Sequence, residues 1–260
     1  MTPTLEKKIA WSKRFIERIA ENRDKLQIAN SGGKDSLVIY TLCKEVLGKD
    51  LPPIVYANTT IDPTGTKKYI MDYMPETQII TPPQSFIRLV EKKGLPTRLN
   101  RYCCEMLKEH HSIGKRSIEG VRAAESTNRQ GREPEQCDTR KKQKGAVHIY
   151  PIYYWTDDEV WSFIKEKGLE VAPCYHKGMC RLGCVGCPQA KPSVRRMEFD
   201  LYPRHFQAIK KAIGRGMANN PQWKLTQLCD GNEDVAMEWW LTRDTMAEFF
   251  EKRKRTLYLF

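Results

Sequence analysis

Short apolar segments alternate with amphipathic segments along about the first 170 residues of the chain. Hydrophobic periodicity predicts strands at 25–30, 53–60, 76–82, 117–123 and 146–155, and helices at 5–23, 35–47, 64–74 and 84–94. This alternation is typical of a mainly parallel sheet that carries helices on both faces. We therefore expect a doubly wound α/β fold whose ligands bind beyond the carboxyl ends of the strands.

The rest of the chain departs from this alternation in two places. Residues 126–146 are polar and charged without periodicity, which predicts a mobile loop. From Lys191 onward the pattern becomes helical, so we expect an α/β domain over 1–190 and a helical C-terminal part over 191–260. No apolar run approaches the roughly 20 residues that span a bilayer, and the N-terminal stretch is charged and amphipathic. We therefore expect a cytoplasmic protein that does not contact membranes.

The stretch SGGKDS, Ser31 to Ser36, follows the first predicted strand and opens the helix after it. Glycines let backbone N–H groups approach an anion closely, and a helix start adds favourable partial charge. The stretch therefore predicts a phosphate-binding loop, although its spacing is not that of a Walker A motif. A glycine turn followed by an unrelated lysine is the alternative that these residues alone leave open.

Three segments together resemble the PAPS reductase-like family of the ATP pyrophosphatase (PP-loop) superfamily: SGGKDS, NTTIDPTGTKKYI from Asn58, and EGVRAAESTNR from Glu119. The resemblance implies the adenine nucleotide alpha hydrolase-like fold and a bound ATP or sulfonucleotide. Thr60 stands where the family has a glycine. The nucleotide-binding residues that the resemblance implies are Ser31, Gly32, Gly33, Lys34, Asp35, Ser36, Asn58, Thr59, Arg122, Glu125 and Arg129. Among them, the two arginines would bind phosphate and Glu125 would orient them.

Nine cysteines in a chain that we expect to be cytoplasmic favour metal binding or catalysis over disulfide bonds. Cys184 and Cys187 have the C-x2-C spacing of zinc and iron–sulfur sites, and neighbouring glycines would let the backbone wrap round a metal centre. Together with Cys103 and Cys104, they resemble the [4Fe–4S] site of APS-reducing enzymes. The resemblance implies these four cysteines as ligands, with Cys180 as the substitute for one of the first pair. Structural zinc stays open as the alternative metal.

The resemblance implies two reactions. In the first, a substrate oxygen attacks the α-phosphate of ATP, pyrophosphate leaves, and a sulfur or nitrogen nucleophile then displaces AMP. Lys34 would stabilise the departing charge, and Asp35 would bind Mg²⁺. In the second, sulfonucleotide (PAPS or APS) reduction, a thiolate in a Glu-Cys-Gly-x-His segment attacks the nucleotide's sulfur. Cys229, the last cysteine, lacks that Glu and that His, so we expect the ATP-dependent reaction.

The excess of positive charge indicates what kind of molecule the chain binds as the acceptor of the reaction. The chain has 44 Lys and Arg against 32 Asp and Glu, a net charge of +12, which points to a polyanionic partner. Basic residues concentrate at 140–144, at 252–255 and in the helical pattern that contains Lys191, Arg195, Arg196, Arg204, Lys210, Lys211 and Arg215. Each run alone is more often a solvated surface than a binding site, and it is their coincidence with the net charge that favours a nucleic acid. We expect tRNA or DNA as the partner and a cysteine desulfurase as the sulfur donor. A cluster-bearing nucleic-acid-binding protein without turnover is the non-enzymatic alternative.

Overall fold

The structure, a computed structural model, describes residues 2–140 and 144–257, so residues 141–143 of the basic run at 140–144 lie outside the described residues. In chain order the helices and strands are α1 (Pro3–Ala20), β1 (Leu26–Ala29), α2 (Lys34–Leu47), β2 (Ile54–Ala57), α3 (Thr66–Tyr73), β3 (Thr77–Ile80), α4 (Phe86–Lys93), α5 (Tyr102–Leu107), β4 (Arg116–Ile118), α6 (Thr127–Gln130), β5 (Glu135–Cys137), β6 (Val147–Ile149), α7 (Asp157–Glu166), α8 (Pro173–His176), α9 (Pro192–Leu201), α10 (Pro203–Asn219), α11 (Lys224–Leu228), α12 (Glu233–Trp240) and α13 (Met246–Leu257). No helix in the described ranges combines the length and the apolar character needed to cross a membrane.

The chain divides into two compact units. Unit 1 comprises Met1–Asn58, Thr64–Thr81 and Leu107–Gly183, and unit 2 comprises Thr59–Pro63, Pro82–Met106 and Cys184–Phe260. The C-terminal helices α9 to α13 therefore share unit 2 with α4 and with most of α5. The domain boundary after residue 190 stays a prediction.

Unit 1 contains a six-stranded sheet in the order β3-β2-β1-β4-β6-β5. Neighbouring strands are parallel, except that β5 runs antiparallel to β6. Ile28 of β1 pairs with Ile54 of β2 on one side and with Ile118 of β4 on the other. The strand order thus reverses between β1 and β4, and doubly wound sheets bind their ligands at such a switch point. The predicted doubly wound, mainly parallel α/β fold with a helical C-terminal part is confirmed.

The first two helices of unit 1 begin and end at residues suited to those positions. Helix α1 follows Thr2, whose hydroxyl accepts a hydrogen bond from the backbone N–H of Leu5, and Pro3 occupies its first position. Helix α2 ends at Gly48, whose φ of +55° lies in the left-handed region that favours glycine. The two helices pack against each other, and both bury apolar side chains in the core.

Residues 126–146 are not the uniform loop that the sequence predicts. They contain the single turn of α6 and the edge strand β5. Glu135 and Cys137 of β5 are exposed, so the strand has no buried apolar face that periodicity could detect. Its pairing with β6, Gln136 opposite His148, supplies the hydrogen bonds that define it.

In unit 2, α4 and α10 approach each other closely. A Cβ atom at Gly216 of α10 would lie 2.7 Å from the carbonyl oxygen of Glu91 in α4, so a glycine is needed at this crossing. The expectation that the basic residues of the α9 and α10 pattern are available to a polyanionic partner is wrong for Arg195, which is 2% exposed. Its guanidinium lies 4.2 Å above the ring of Trp240, and its Nε donates to the carbonyl oxygen of Gly186 at 3.1 Å. These two contacts hold the side chain inside unit 2.

Candidate functional site

The glycine loop lies in unit 1 at the switch point, between the end of β1 and the start of α2. Gly32 has a φ of +74°, and a Cβ atom there would lie 3.0 Å from Cδ1 of Ile70, so both conformation and space favour glycine. The hydroxyls of Ser31 and Ser36 lie 2.7 Å apart, and the N–H of Ser31 donates to Oγ of Ser36 at 3.1 Å. The loop is therefore held by its own two serines.

Four charged side chains of unit 1 form a compact cluster beside this loop. Lys34 and Arg122 are 5% and 2% exposed, which is unusual for cations and requires nearby anions. Nζ of Lys34 lies 3.4 Å from Oδ2 of Asp35 and 3.2 Å from Oδ1 of Asp157. Arg122 donates from Nε to Asp35 at 2.6 Å and from Nη2 to Asp157 at 2.7 Å. Two cations and two carboxylates thus compensate one another.

The pKa values of this cluster follow from its contacts. Burial raises the pKa of Asp157, but Lys34 and Arg122 outweigh this effect and hold that pKa below its ordinary value. Burial likewise lowers the pKa of Arg122, while Asp35, Asp157 and Glu125 outweigh it and raise that pKa. Both groups are therefore charged at neutral pH.

The segment after β4, residues 119–129, also lies beside this cluster in unit 1. The backbone N–H of Arg122 donates to Oε2 of Glu125 at 2.9 Å, and Glu125 also forms an ion pair with Arg129. A Cβ atom at Gly120 would lie 2.7 Å from the carbonyl carbon of Asp35, so the segment passes directly over the start of α2. The predicted residues Arg122, Glu125 and Arg129 thus form one connected group that reaches Asp35.

Asn58 and Thr59 fall in different units. Asn58 ends the first segment of unit 1, and its N–H donates to the carbonyl oxygen of Ile80 at 2.9 Å. Thr59 begins a segment of unit 2, and its hydroxyl oxygen accepts from the thiol of Cys184 at 3.5 Å. Thr60, where the family has glycine, has a φ of +61° and accepts a hydrogen bond from the N–H of Phe86 at 2.8 Å. The roles of Asn58 and Thr59 in nucleotide binding stay predictions.

The four predicted metal-binding cysteines all lie in unit 2, whereas Cys180 is exposed and belongs to unit 1. A hydrogen bond with Cys104 and burial raise the pKa of the Cys103 thiol, and Cys184 and Cys187 raise it further. These four thiols are therefore near enough to interact. Within residues 2–140 and 144–257, however, no three or more His, Cys, Asp or Glu side chains are already arranged as a ligand set. The thiols would have to converge further to bind a metal.

Side chains of α9 hold the loop that carries Cys184 and Cys187. The N–H of Gly186 donates to Oε2 of the buried Glu198 at 2.8 Å, and the carbonyl oxygen of Gly186 accepts from Arg195. Gly186 has a φ of +72°, and a Cβ atom there would lie 2.1 Å from Cζ of Phe199. Glycine is thus required in this turn, as it would be if the backbone curves round a metal centre.

Arg195 provides an observation that bears on the charge of this site. In the described part of the chain, its buried Nη2 has no hydrogen-bond partner, and the guanidinium interacts electrostatically with Cys187. Burial lowers the pKa of Arg195 to about 10. A buried cation with an unused donor beside a thiol suits deprotonated cysteines or an anionic metal centre. The donor set and this charge therefore fit a thiolate-bound metal site.

Two residues of the loop site were missed by the sequence analysis. Asp157 lies in TDDE, a stretch that forms a capping box in which Thr156 and Glu159 exchange hydrogen bonds. That pattern predicts the helix start but gives no sign that the next carboxylate contacts Lys34. Tyr175, whose hydroxyl oxygen accepts from the N–H of Lys34 at 2.9 Å, has no sequence signal.

Comparison with known families matches most of the chain to one family. Residues 25–190 match the profile of a family described as the phosphoadenosine phosphosulfate reductase domain. An uncharacterized protein of Methanocaldococcus jannaschii is 30% identical over 232 residues, which cover 81% of this chain and 48% of that protein. The chain spans about half the length of the curated relatives that it matches first.

One relative with a named activity and one solved structure are also similar. The adenosine 5'-phosphosulfate reductase of Burkholderia cepacia is 24% identical over 207 residues, covering 73% of this chain and 80% of that enzyme. The crystal structure of Candida glabrata FMN adenylyltransferase, in complex with FAD and inorganic pyrophosphate, superposes with a TM-score of 0.53 at 15% identity. It covers 70% of this chain and 64% of that chain, and it confirms the adenine nucleotide alpha hydrolase-like fold.

Proposed function

This chain belongs to the phosphoadenosine phosphosulfate reductase domain family, and on that premise we propose that it cleaves ATP between the α- and β-phosphates and transfers sulfur to a nucleic acid or a nucleoside. The observation that carries the proposal is the pair of buried cations, Lys34 and Arg122, beside a glycine loop at the switch point of the sheet. Buried cations at a helix start are suited to a triphosphate rather than to a neutral ligand.

The loop would bind the phosphates through its backbone. The N–H groups from Ser31 to Ser36 would donate to the β- and γ-phosphate oxygens, and Lys34 would exchange its two carboxylate partners for phosphate. Arg122 would remain oriented by Asp157 and by the carbonyl oxygen of Trp155, which it contacts at 3.4 Å. Arg129, oriented by Glu125, would supply a further cation, and Asn58 would contact the nucleoside.

The chemical step would be an in-line displacement. An oxygen of the acceptor attacks the α-phosphorus, the bond from that phosphorus to the bridging oxygen breaks, and pyrophosphate leaves with the electron pair. Lys34 and the loop N–H groups lower the barrier because they lie where negative charge accumulates on the leaving group. The persulfide of a cysteine desulfurase would then attack the activated carbon, whose bond to the phosphate oxygen breaks as AMP leaves. A thiol reductant would cleave the S–S bond that still joins the sulfur to its donor.

Mg²⁺ would accompany the nucleotide. Asp35 and Asp157 offer the carboxylate oxygens that this ion prefers, and both are already placed beside the loop by Arg122. Of the two carboxylates, Asp157 is the better placed to exchange an ion-pair partner for Mg²⁺, because its side chain is 57% exposed. These carboxylates would hold the ion against the phosphates and keep Arg122 in position.

Cys103, Cys104, Cys184 and Cys187 would hold a [4Fe–4S] cluster in unit 2. Arg195 would offset the negative charge of the thiolates, and Glu198 would fix the turn between Cys184 and Cys187. With all four cysteines as ligands the cluster would supply structural and electrostatic support, and with three of them it would supply a site for the transferred sulfur.

Sulfonucleotide reduction is the second candidate, and the similarity to an adenosine 5'-phosphosulfate reductase favours it. That reaction needs a reactive thiolate. Burial raises the pKa of Cys229 and of Cys174 to about 11 and that of Cys43 to about 12, which makes these thiols poor nucleophiles. The exposed Cys137 and Cys180 are the thiols that this reaction would have to use.

The deciding experiment measures pyrophosphate release from ATP by anaerobically purified protein, with and without RNA or DNA. We expect release that nucleic acid stimulates and that Lys34→Met lowers by about 100-fold or more. Lys49→Met, at an exposed lysine of the same unit, is the matched control and should keep full activity. Metal analysis of the same sample should find iron, and one equivalent of zinc without iron would reject the cluster.

Two other results would decide for the alternatives. Thioredoxin-dependent release of sulfite from PAPS or APS, without pyrophosphate release from ATP, would identify a sulfonucleotide reductase. Tight binding of nucleic acid without turnover of any nucleotide would instead identify a binding protein.

A further inference from the structure

Helix α1 presents a row of basic and aromatic side chains along one face. Lys7, Trp11, Arg14 and Arg18 follow one another at spacings of three or four residues, which places them on the same side of a helix. Lys7, Arg14 and Arg18 are exposed, and Trp11 is half-buried. The proposed nucleotide site uses none of these residues. We call this set the α1 row.

A groove of about 610 Å³ runs beside the α1 row. One wall consists of Trp11, Arg14, Phe15 and Arg18, and the other of residues 133–135. Trp11 is the half-buried aromatic ring of this wall, and it stacks on the buried ring of Phe15 with ring centroids 5.0 Å apart. The guanidinium of Arg18 lies 4.9 Å above the centre of the Phe15 ring. Stacking surface and positive charge thus occur together.

The groove lies at the β5 edge of the sheet in unit 1, and its walls are joined to the segment that leads to the charge cluster. Glu135 in its wall pairs with Ile149, the last residue of β6. Helix α1 is fixed to the segment after β6: Oγ of Ser12 donates to the carbonyl oxygen of Pro151 at 2.7 Å, and Lys8 donates to that of Tyr154 at 2.7 Å. The same segment continues to Asp157 of the charge cluster. All of these residues belong to unit 1.

We infer that the α1 row and its groove bind the single-stranded acceptor nucleic acid, with an unpaired base stacked on Trp11 and backbone phosphates at Lys7, Arg14 and Arg18. Aromatic side chains interleaved with basic ones are how proteins bind single strands, because every unpaired base offers a face for stacking. A duplex keeps its bases paired and would not use the ring of Trp11. The inference rests on the proposed function, since it names where the acceptor of that reaction is held.

The acidic wall decides how the strand lies in the groove. Glu133 and Glu135 line it, and Glu135 lies 3.8 Å from Arg18. Carboxylates repel phosphate but accept hydrogen bonds from the exocyclic amino groups of bases. The base therefore lies towards the acidic wall, and the phosphates stay on the basic wall that α1 forms.

The test is binding of a fluorescently labelled, mixed-sequence single-stranded oligonucleotide in the absence of ATP, measured by anisotropy over a range of salt concentrations. Arg14→Ala with Arg18→Ala should weaken binding about tenfold and lower the slope of log affinity against log salt by about 1.4, the value for two lost phosphate contacts. Trp11→Ala should weaken binding by about tenfold, and Trp11→Phe should restore most of it.

The control is a charge-matched pair, Lys49→Ala with Lys67→Ala, at exposed lysines of unit 1 outside the groove. An equal loss in this pair, unchanged affinity in the groove variants, or a preference for duplex over single strand would each overturn the inference. Thermal melting checks that the variants fold. If Trp11→Ala does not fold, the variant with both exposed arginines replaced still tests the inference.

The same proteins separate this inference from the proposed function. Pyrophosphate release without nucleic acid should be unchanged in the groove variants. If the wild-type chain releases pyrophosphate and its groove variants bind the strand normally, the groove assignment alone fails. If groove-dependent binding is found without any pyrophosphate release, the proposed reaction fails and the groove stands.

Discussion

The hydroxyl oxygen of Tyr175 accepts a hydrogen bond from the backbone N–H of Lys34 at 2.9 Å. The same oxygen accepts from the N–H of Leu182 at 3.3 Å, and burial raises the pKa of Tyr175 above its ordinary value, so the phenol stays neutral. A neutral hydroxyl therefore satisfies the first amide of α2, where the proposed site would bind a phosphate oxygen. Nucleotide would have to displace this contact.

Tyr175→Phe should accordingly strengthen nucleotide binding. The substitution removes the acceptor that competes with phosphate for the N–H of Lys34, and a hydrogen bond of this kind contributes about 1 kcal/mol. We expect the affinity for ATP, measured by calorimetry, to rise by about fivefold. The free protein should lose about 1 kcal/mol of stability, because two N–H groups lose their partner.

Tyr69→Phe is the matched control for this prediction. It also removes a phenolic hydroxyl in unit 1, one that donates to the carbonyl oxygen of Glu170 at 2.8 Å, and it should leave the affinity for ATP unchanged. Weaker binding in Tyr175→Phe would show instead that Tyr175 holds the loop in its binding conformation.

Gly120→Ala should disturb the loop site through the backbone of Asp35 and so weaken both folding and ATP binding. The new Cβ atom would lie 2.7 Å from the carbonyl carbon of Asp35 and 2.8 Å from its oxygen, so the backbone must shift. We expect a loss of about 2 kcal/mol in the free energy of unfolding and weaker ATP binding, since Asp35 positions Arg122. Gly131→Ala, where a Cβ atom meets nothing within 4 Å, should change neither urea denaturation nor ATP titration.

Much of unit 1 was predictable because its strands are short, apolar and bounded by turn residues. Ile28, Ile54 and Ile118 lie in three of the predicted strands, and they pair across the centre of the sheet. The polar strand β5 was not predictable, because Glu135 and Cys137 are exposed and its order comes from pairing with β6. Periodicity detects a buried face, and this strand has none.

The residues of the candidate sites likewise divide into those that a local sequence string reveals and those that only the fold brings together. Ser31 to Ser36 were recognisable because phosphate binding by backbone amides requires a particular local string. Asp157 reaches Lys34 from more than a hundred residues away, and a capping box explains its surroundings without reference to that contact. Arg195 was assigned to a basic surface because charge alone cannot reveal that a Trp240 ring and a carbonyl group cover it.

Arg195→Met should alter any metal centre held by the four cysteines. Loss of the buried cation leaves the thiolates uncompensated, so we expect less iron per protein after anaerobic reconstitution and a lower reduction potential of the bound cluster. Iron analysis and a redox titration followed by absorbance measure these effects. Arg196→Met, at the exposed neighbour, is the control, and equal changes in both variants would remove the specific role of Arg195.

His148 should make the stability of unit 1 depend on pH. Its Nδ1 lies 2.7 Å from Glu119 and its Nε2 lies 3.0 Å from Asp138, and the Glu119 contact is the main cause that raises its pKa to about 8. Because the folded-state pKa exceeds the ordinary value of about 6.5, the imidazolium stabilises the folded state fully below that pH, and the stabilisation is lost as pH rises through about 8. We expect the free energy of unfolding, from urea denaturation, to fall by about 2 kcal/mol more between about pH 6 and about pH 9 in the wild-type protein than in His148→Gln.

His205→Gln, at a histidine of unit 2 that faces the carbonyl oxygen of Asp62, should retain the wild-type dependence. The same pH dependence in His148→Gln as in the wild type would exclude this imidazolium as its source.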